Sequence, residues 1–223
     1  MDNKYQIIAL IGKAGAGKDA VLRATCQCHP LMFNRIINCT TRPAREGEVD
    51  GVDYHFITLN DFTRKVLNGD MLEATEFRDW FYGTTLSALV KDKINIGVFN
   101  PAGVEALLED SRLNVIVCEI EATDKERLMR YLSREESPDC AEICRRYFAD
   151  ETDFAALDFD RISIRNHNGN SLDLLSGWNL DLEALLPELW RGLGIDTEFS
   201  TIQRWESSMM KKAEPEYNAD NNE

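Results

Sequence analysis

Residues 5–19 read Tyr5-Gln-Ile-Ile-Ala-Leu-Ile-Gly-Lys-Ala-Gly-Ala-Gly-Lys-Asp19, an apolar run followed by a glycine-rich turn. The nearly continuous apolar character of the first seven residues is typical of a buried strand in a parallel sheet. The apolar spacing after the turn predicts a helix from Asp19 to about Cys28. A glycine-rich turn between a strand and a helix is the setting in which phosphate-binding loops occur.

The turn itself has the Walker A spacing, with Gly12 and Gly17 five residues apart and Lys18 next. Glycines let backbone N–H groups surround phosphate oxygens, and the helix N-terminus adds partial positive charge. Asp19 replaces the usual Ser or Thr that ligates Mg²⁺, so we predict that its carboxylate binds the metal directly or through water. The predicted ATP-binding residues of this loop are Gly12, Ala14, Gly15, Ala16, Gly17, Lys18 and Asp19.

The rest of the chain alternates between strand-like and helix-like segments. Further strands are predicted at Arg35–Cys39, Tyr54–Ile57, Met71–Phe77, Trp80–Gly83, Ile94–Asn100, Asn114–Ile120 and Arg161–Asn166. Helices are predicted at Leu59–Asn68 (with Asn60 as a possible N-cap), Pro101–Asp110, Lys125–Arg134, Cys140–Phe154 and within Leu172–Leu193. This alternation implies an α/β protein with the P-loop kinase fold, a parallel sheet flanked by helices.

Composition narrows the functional classes. The net charge of −14 argues against a nucleic-acid-binding surface, because such surfaces carry basic patches. No apolar run reaches the roughly 20 residues of a membrane-spanning helix, and no signal peptide is recognisable, so we expect a cytoplasmic protein without membrane contact. The six cysteines suit that compartment as free thiols, and Cys140 and Cys144, four apart on a predicted helix, are expected to be packing residues.

Arginines mark the loop that follows the second predicted strand. Arg42 and Arg45 lie three residues apart between Thr40 and Asp53, in a segment rich in Gly, Pro and Glu. Two guanidinium groups so placed can grip a phosphate monoester in bidentate fashion. Taken by itself, the segment also fits a solvated surface connection.

The residues from Thr40 to Phe56, Thr-Thr-Arg-Pro-Ala-Arg-Glu-Gly-Glu-Val-Asp-Gly-Val-Asp-Tyr-His-Phe, resemble the signature of guanylate kinases. The segments Leu72-Glu-Ala74 and Phe81-Tyr-Gly-Thr84 are similar to that family's Glu-x-Ala and Tyr-Gly-Thr segments. The resemblance implies that Glu73 accepts hydrogen bonds from the N1 and N2 donors of guanine. It also implies that the acceptor phosphate is held by Arg42, Arg45, Tyr54 and Tyr82, with Thr41 and Thr84 as neutral partners.

A run of arginines follows the strand at Asn114–Ile120. Arg127, Arg130 and Arg134 fall on one helical face, which by itself is typical of a solvated basic surface. In the guanylate kinase pattern, arginines of a helical lid close over the transferring phosphoryl group, and Arg134 and Arg146 match them best, with Arg145 as an alternative. The same resemblance places Asn166 near the adenine of ATP and implies ATP and Mg²⁺ as cofactors and small nucleotides as the ligands.

The chain departs from the family pattern at the end of one strand. Guanylate kinases carry Asp-x-Asp there, whereas this chain has Val98-Phe-Asn100, and Asn100 is the expected acceptor-binding residue. Together with Asp19, this asparagine also resembles ribose 1,5-bisphosphate phosphokinase. Three hypotheses therefore stand: a kinase of GMP or dGMP, a sugar-phosphate kinase, and a guanylate-kinase-like binding module without turnover.

The resemblance also implies a division of the chain. Residues 1–194 form the guanylate-kinase-like domain, and residues 195–223 form an acidic tail that we expect to be partly disordered. Within the domain, the core comprises residues 1–39, 86–124 and 155–194. Residues 40–85 form an acceptor-binding insert and residues 125–154 a lid. The oligomeric state cannot be read from these features.

Overall fold

The computed structural model describes residues 4–45, 47–77, 79–133 and 137–166. Arg134, the predicted helix within Leu172–Leu193 and the predicted tail lie outside these residues. Within them the chain forms nine strands and five α-helices. The strands are β1 (Tyr5–Ile11), β2 (Phe33–Arg35), β3 (Cys39–Thr40), β4 (His55–Phe56), β5 (Met71–Phe77), β6 (Trp80–Thr85), β7 (Ile94–Val98), β8 (Leu113–Glu121) and β9 (Ile162–Arg165). The helices are α1 (Lys18–Cys28), α2 (Leu59–Leu67), α3 (Pro101–Glu109), α4 (Asp124–Leu132) and α5 (Cys140–Ala155).

The larger sheet has five parallel strands in the order β2-β7-β1-β8-β9. The central strand β1 is apolar from Ile7 to Ile11 because its two faces enter two different cores. Ile8 and Leu10 lie in one buried cluster with residues of α1, whereas Ile7 and Ile11 lie in a second cluster with residues of α3. The parallel sheet flanked by helices that the sequence predicts is thus confirmed.

The smaller sheet, built from residues between Cys39 and Thr85, has the strand order β4-β3-β6-β5. Strand β3 runs parallel to β4 and antiparallel to β6, which in turn pairs with β5 as a hairpin. The predicted single strand Arg35–Cys39 is wrong, because the chain passes from one sheet to the other within it. Its apolar residue Ile36 packs in the second core cluster at this crossing, which gave the segment its strand-like appearance.

Helix termini follow local hydrogen bonding. Thr58, and not Asn60, caps α2, because its hydroxyl accepts a hydrogen bond from the Asp61 N–H. A capping box at Thr123 begins α4, with Glu126 as its reciprocal partner. Each such box satisfies donors that the first helical turn leaves unpaired.

Two cysteines of α5 differ from their prediction. Cys140 and Cys144 are exposed free thiols and not packing residues, because the buried side of this helix is the one that carries Ile143. In the part of the chain that the structure describes, no helix has both the length and the apolar character needed to cross a bilayer.

Candidate active site

The glycine-rich loop lies at the carboxyl end of β1 and leads into α1. Gly15 and Gly17 have φ angles of 81° and 99°, a left-handed backbone that disfavours other residues. A Cβ at Gly15 would lie 2.8 Å from the carbonyl oxygen of Arg127, and one at Gly17 would lie 2.4 Å from Nδ2 of Asn166. The glycines are therefore required both by the turn and by the close packing around it.

Lys18 folds over the inner side of this loop. Its ammonium group donates to the carbonyl oxygens of Gly12 at 2.6 Å and Lys13 at 3.3 Å. Burial lowers the pKa of Lys18, while the carboxylates of Asp19 and Asp150 raise it. A desolvated cation held only by backbone carbonyls can turn to a stronger acceptor, such as a phosphate oxygen.

Asp19 occupies the first turn of α1 and its side chain is exposed. Burial raises the pKa of Tyr54, and the negative charge of Asp19 raises it further, as it also does for Lys18. Within the described residues, no three acidic, histidine or cysteine side chains gather into a metal site. One exposed carboxylate fits Mg²⁺ that arrives with a nucleotide, since this ion keeps several waters and commonly takes one or two carboxylates plus phosphate oxygens.

The outer side of the loop is held by α4 and α5. Arg127 is buried and donates through Nε to the Ala14 carbonyl at 2.9 Å and through Nη2 to Asp150 at 2.8 Å. The same Asp150 oxygen accepts the Ala14 N–H at 2.6 Å. Arg130 donates to the carbonyls of Gly15 at 3.0 Å and Ala16 at 3.2 Å. The basic face that looked solvated in the sequence is, at these two arginines, in contact with the loop.

Asn166 lies directly after β9 and is buried against the same loop. Its Nδ2 donates to the Ala16 carbonyl at 2.7 Å, and its Oδ1 is buried without a partner in the described part of the chain. The structure thus places this residue behind the phosphate loop. The free oxygen is the atom through which it can accept a hydrogen bond from a ligand or from another part of the chain.

A second cluster forms around Arg42 in the smaller sheet. Its guanidinium makes a bidentate pair with Glu48, both distances being 2.9 Å, and lies 5.6 Å from the ring centroid of Tyr54. The hydrogen bonds to Glu48 and to Tyr82 raise the pKa of Arg42, and its bond to Glu48 lowers the pKa of that carboxyl. The Tyr54 and Tyr82 rings lie 6.1 Å apart. Three of the four predicted phosphate-binding residues therefore meet here.

Arg45 and Thr41, which were also predicted to contact the acceptor phosphate, are placed differently. The side chain of Arg45 is exposed, and its backbone N–H donates to Glu48 at 2.8 Å. The Thr41 hydroxyl accepts the Phe81 N–H at 2.9 Å, so it extends the pairing of β3 with β6. Its hydroxyl proton remains available for a neutral contact.

Glu73 lies on β5 opposite Thr84 of β6 and is only 7% exposed. The Thr84 hydroxyl donates to its Oε1 at 2.7 Å and lies 3.0 Å from Oδ1 of Asn38. Burial raises the pKa of Glu73 to about 7, with the Thr84 bonds acting in the opposite direction. A carboxyl this deeply buried is expected to have a partner that its ligand supplies.

Asn100 stands next to Glu73 at the start of α3. Its Oδ1 accepts the Gly103 N–H at 2.7 Å as the helix N-cap, and its Nδ2 donates to Thr75 at 3.2 Å. A Cβ on Gly103 would lie 3.1 Å from the Asn100 oxygen and 3.3 Å from Oε2 of Glu73. This glycine therefore leaves room for the carboxyl and the amide to approach the same backbone position.

The two arginines of α5 that were predicted to act in a lid pair with a shared carboxylate. Arg146 donates to Glu142 at 2.6 Å and lies 3.5 Å from the Tyr131 hydroxyl, while Arg145 donates to Glu142 at 2.9 Å. Among the described residues, sequence reasoning missed Glu48, Asn38 and the pair of Arg127 and Asp150. The spacing of the arginines drew attention to Arg127 only. Glu48 in its loop and Asp150 on its helix belong to no recognisable sequence pattern.

Comparison with known proteins identifies the family that the chain resembles. The family model described as guanylate kinase matches residues 4–173. A guanylate kinase of Synechococcus elongatus is 31% identical over 180 residues, which cover 76% of this chain and 94% of that protein. A guanylate kinase of Clostridium perfringens is 40% identical over 90 residues, and this match spans 40% of the chain and only 41% of the relative.

One solved structure shares the fold over nearly the whole length. The crystal structure of a guanylate kinase from Anaplasma phagocytophilum superimposes with a TM-score of 0.60 at 18% sequence identity. The match covers 95% of this chain and 96% of that one. At this level of identity the likeness concerns the arrangement of the elements alone.

Proposed function

Since the chain belongs to the guanylate kinase family, we propose that it catalyses ATP-dependent phosphoryl transfer to GMP or dGMP, giving the nucleoside diphosphate. The observation that carries this proposal is that the smaller sheet carries both the Arg42 cluster and the buried carboxyl of Glu73, which would form the two ends of one acceptor pocket. One end presents a guanidinium and two phenol groups to a phosphate, and the other presents a buried carboxyl to a base with N–H donors. A sugar phosphate has no ring N–H donors with which to pair that carboxyl.

On the ATP side, the N–H groups of the loop from Gly12 to Asp19, other than those of Ala14 and Ala16, would surround the phosphates. Lys18 would leave the Gly12 carbonyl for a phosphate oxygen. Arg146, and Arg134 by its place in the sequence, would bring positive charge from the lid. Phosphoryl transfer depends mainly on such positioning and charge stabilisation. Asn166 would support the loop from behind and offer its free oxygen to the nucleotide.

On the acceptor side, Arg42, Tyr54 and Tyr82 would hold the monophosphate, with Arg45 turning in from the surface and Thr41 giving a neutral contact. A phosphate oxygen of the acceptor then attacks the γ-phosphorus of ATP. The new P–O bond forms as the bond to the bridging oxygen of ADP breaks, so ADP leaves with that electron pair.

The other end of the acceptor would meet the buried carboxyl. Glu73 and Thr84 would contact the base, and Asn100 would close the same corner. Mg²⁺ bound by Asp19 together with the nucleotide would neutralise charge on the β- and γ-phosphates.

A cytoplasmic location, the absence of nucleic-acid partners, and the boundaries of the insert (40–85) and lid (125–154) remain predictions from the sequence.

A coupled assay of ADP release across GMP, dGMP, AMP, CMP, UMP and ribose 1,5-bisphosphate tests the proposal. We expect turnover with GMP or dGMP that depends on ATP and Mg²⁺. Turnover of the sugar bisphosphate alone would overturn the nucleotide assignment. ATP binding by calorimetry with no transfer to any of these acceptors would instead favour a binding module.

A further inference from the structure

Residues 12–16 form the part of the phosphate loop whose carbonyl oxygens all accept hydrogen bonds from side chains. Lys18 donates to the carbonyl oxygens of Gly12 and Lys13, and Arg127 donates to that of Ala14. Arg130 donates to the carbonyl oxygens of Gly15 and Ala16, and Asn166 also donates to that of Ala16. Three of these donors come from outside the loop and its helix.

A carbonyl oxygen held in place also orients the next N–H. The peptide group is planar and trans, so the C=O of Ala14 and the N–H of Gly15 point in opposite directions. Because Arg127 draws the Ala14 oxygen toward α4, the Gly15 N–H faces the other side of the loop. The direction of these N–H groups is what makes a loop of this kind bind phosphate.

Asp150 also hydrogen-bonds to Ala14 of the loop. One of its oxygens, Oδ2, accepts both the Ala14 N–H and Arg127 Nη2, so a single ion pair binds the N–H and the C=O of the same residue. The Arg127 side chain is 2% exposed and that of Asp150 is 17% exposed. Asp124 and Glu151 also contact Arg127, at 2.9 Å and 3.5 Å, so the guanidinium is held from several sides.

We infer that Arg127 and Asp150 are a positioning pair for ATP: they set the peptide orientation of the phosphate loop from the base of the lid without touching the nucleotide. The inference rests on the proposed function to the extent that ATP phosphates bind in the loop. It concerns ATP and not the acceptor, because the pocket around Arg42 and Glu73 shares no contact with the pair among the described residues.

The Asp150→Asn variant tests the pair through steady-state kinetics with the full chain. We expect the KM for ATP to rise about 10- to 100-fold, since charge-assisted hydrogen bonds to the loop weaken and its N–H groups lose their alignment. The KM for GMP should stay within about twofold. Asp153→Asn is the matched control, because Asp153 lies exposed on the same helix and makes no hydrogen bond or ion pair in the described structure; it should leave both constants unchanged.

A second variant separates positioning from general stability. Removing one member of a buried ion pair destabilises a protein, whereas replacing both by apolar residues of similar size is often neutral. Arg127→Met combined with Asp150→Leu should therefore recover the unfolding temperature of the wild type, yet keep the raised KM for ATP. Recovery of ATP affinity together with stability would overturn the inference, as would equal rises in both KM values for Asp150→Asn.

Calorimetry of ATP binding without acceptor keeps this test independent of the reaction. If the wild type binds ATP but turns over no acceptor, the proposed function fails, and a weaker affinity in Asp150→Asn still supports the positioning pair. An unchanged affinity would contradict it. A wild-type chain that binds no ATP would also contradict it, because the pair would then shape no phosphate site.

Discussion

Glu73→Gln should remove a pH dependence from the stability of the ligand-free protein. Burial raises the pKa of Glu73 to about 7 from an ordinary 4.5. Between these two values the unfolded chain loses the proton while the folded chain keeps it, so rising pH favours unfolding. At about 1.4 kcal/mol per pH unit, the accumulated loss is about 3 kcal/mol above pH 7.

Urea unfolding curves at pH values from 4 to 8 measure this effect. The free energy of unfolding of Glu73→Gln minus that of the wild type should rise by about 3 kcal/mol across this range, because glutamine keeps a hydrogen-bond acceptor for Thr84 without a titrating proton. Glu76→Gln is the matched control on the same strand, since Glu76 is exposed, and it should follow the wild type. A difference that stays constant with pH would refute the reasoning.

The same proton links stability to ligand recognition. A base with N–H donors favours the ionised carboxylate, so GMP binding near pH 6 should release about one proton from Glu73. Because the GMP phosphate also titrates near pH 6, calorimetry in buffers of different ionisation enthalpy counts that proton as the difference between the wild type and Glu73→Gln. Equal proton release by the two proteins would show that the base does not pair with Glu73.

Three further substitutions test the remaining parts of the site. Lys18→Ala should lower kcat by about 10³-fold or more without lowering the unfolding temperature, and normal turnover in the coupled assay would refute its assignment. Glu48→Gln should loosen the bidentate grip on Arg42 and raise the KM for GMP about tenfold with the KM for ATP unchanged; equal changes in both would contradict this. Asn100→Asp should keep the cap of α3 but move the pH range of the Glu73 effect upward, which the unfolding curves would show as a shifted midpoint.

Patterns within short stretches of sequence predicted those elements of the fold whose structure is determined by neighbouring residues. The strand β1 and the loop after it could be predicted because a run of apolar residues followed by closely spaced glycines is visible in a short stretch of sequence. The two-residue strand β3 could not, since two residues have no periodicity, whereas β4 lies within the strand predicted at Tyr54–Ile57. The cap of α2 was misplaced because Thr58 and Asn60 are both good N-caps and only the backbone path selects between them.

The residues of the candidate site likewise differ in whether a local sequence pattern could predict them. Arg42 and Glu73 were predicted from their motifs, whereas the side chains that hydrogen-bond to the glycine-rich loop come from distant parts of the chain. Asp150 meets Ala14 across 136 residues, and Arg127 meets it across 113. No spacing rule reaches that far, so an arginine on a helical face looks solvated until its acceptor is seen.

The asparagine at position 100 can be understood from charge. Asparagine and aspartate cap a helix about equally well, so the change costs α3 little. It does remove one negative charge from the corner where Glu73 is already buried. A second carboxylate there would raise the pKa of Glu73 further and favour its protonated form, which accepts fewer hydrogen bonds from a base. Asn100 is therefore compatible with base recognition by a single carboxylate. Asp19 is exposed in the first turn of α1, so its carboxylate is open to a metal ion.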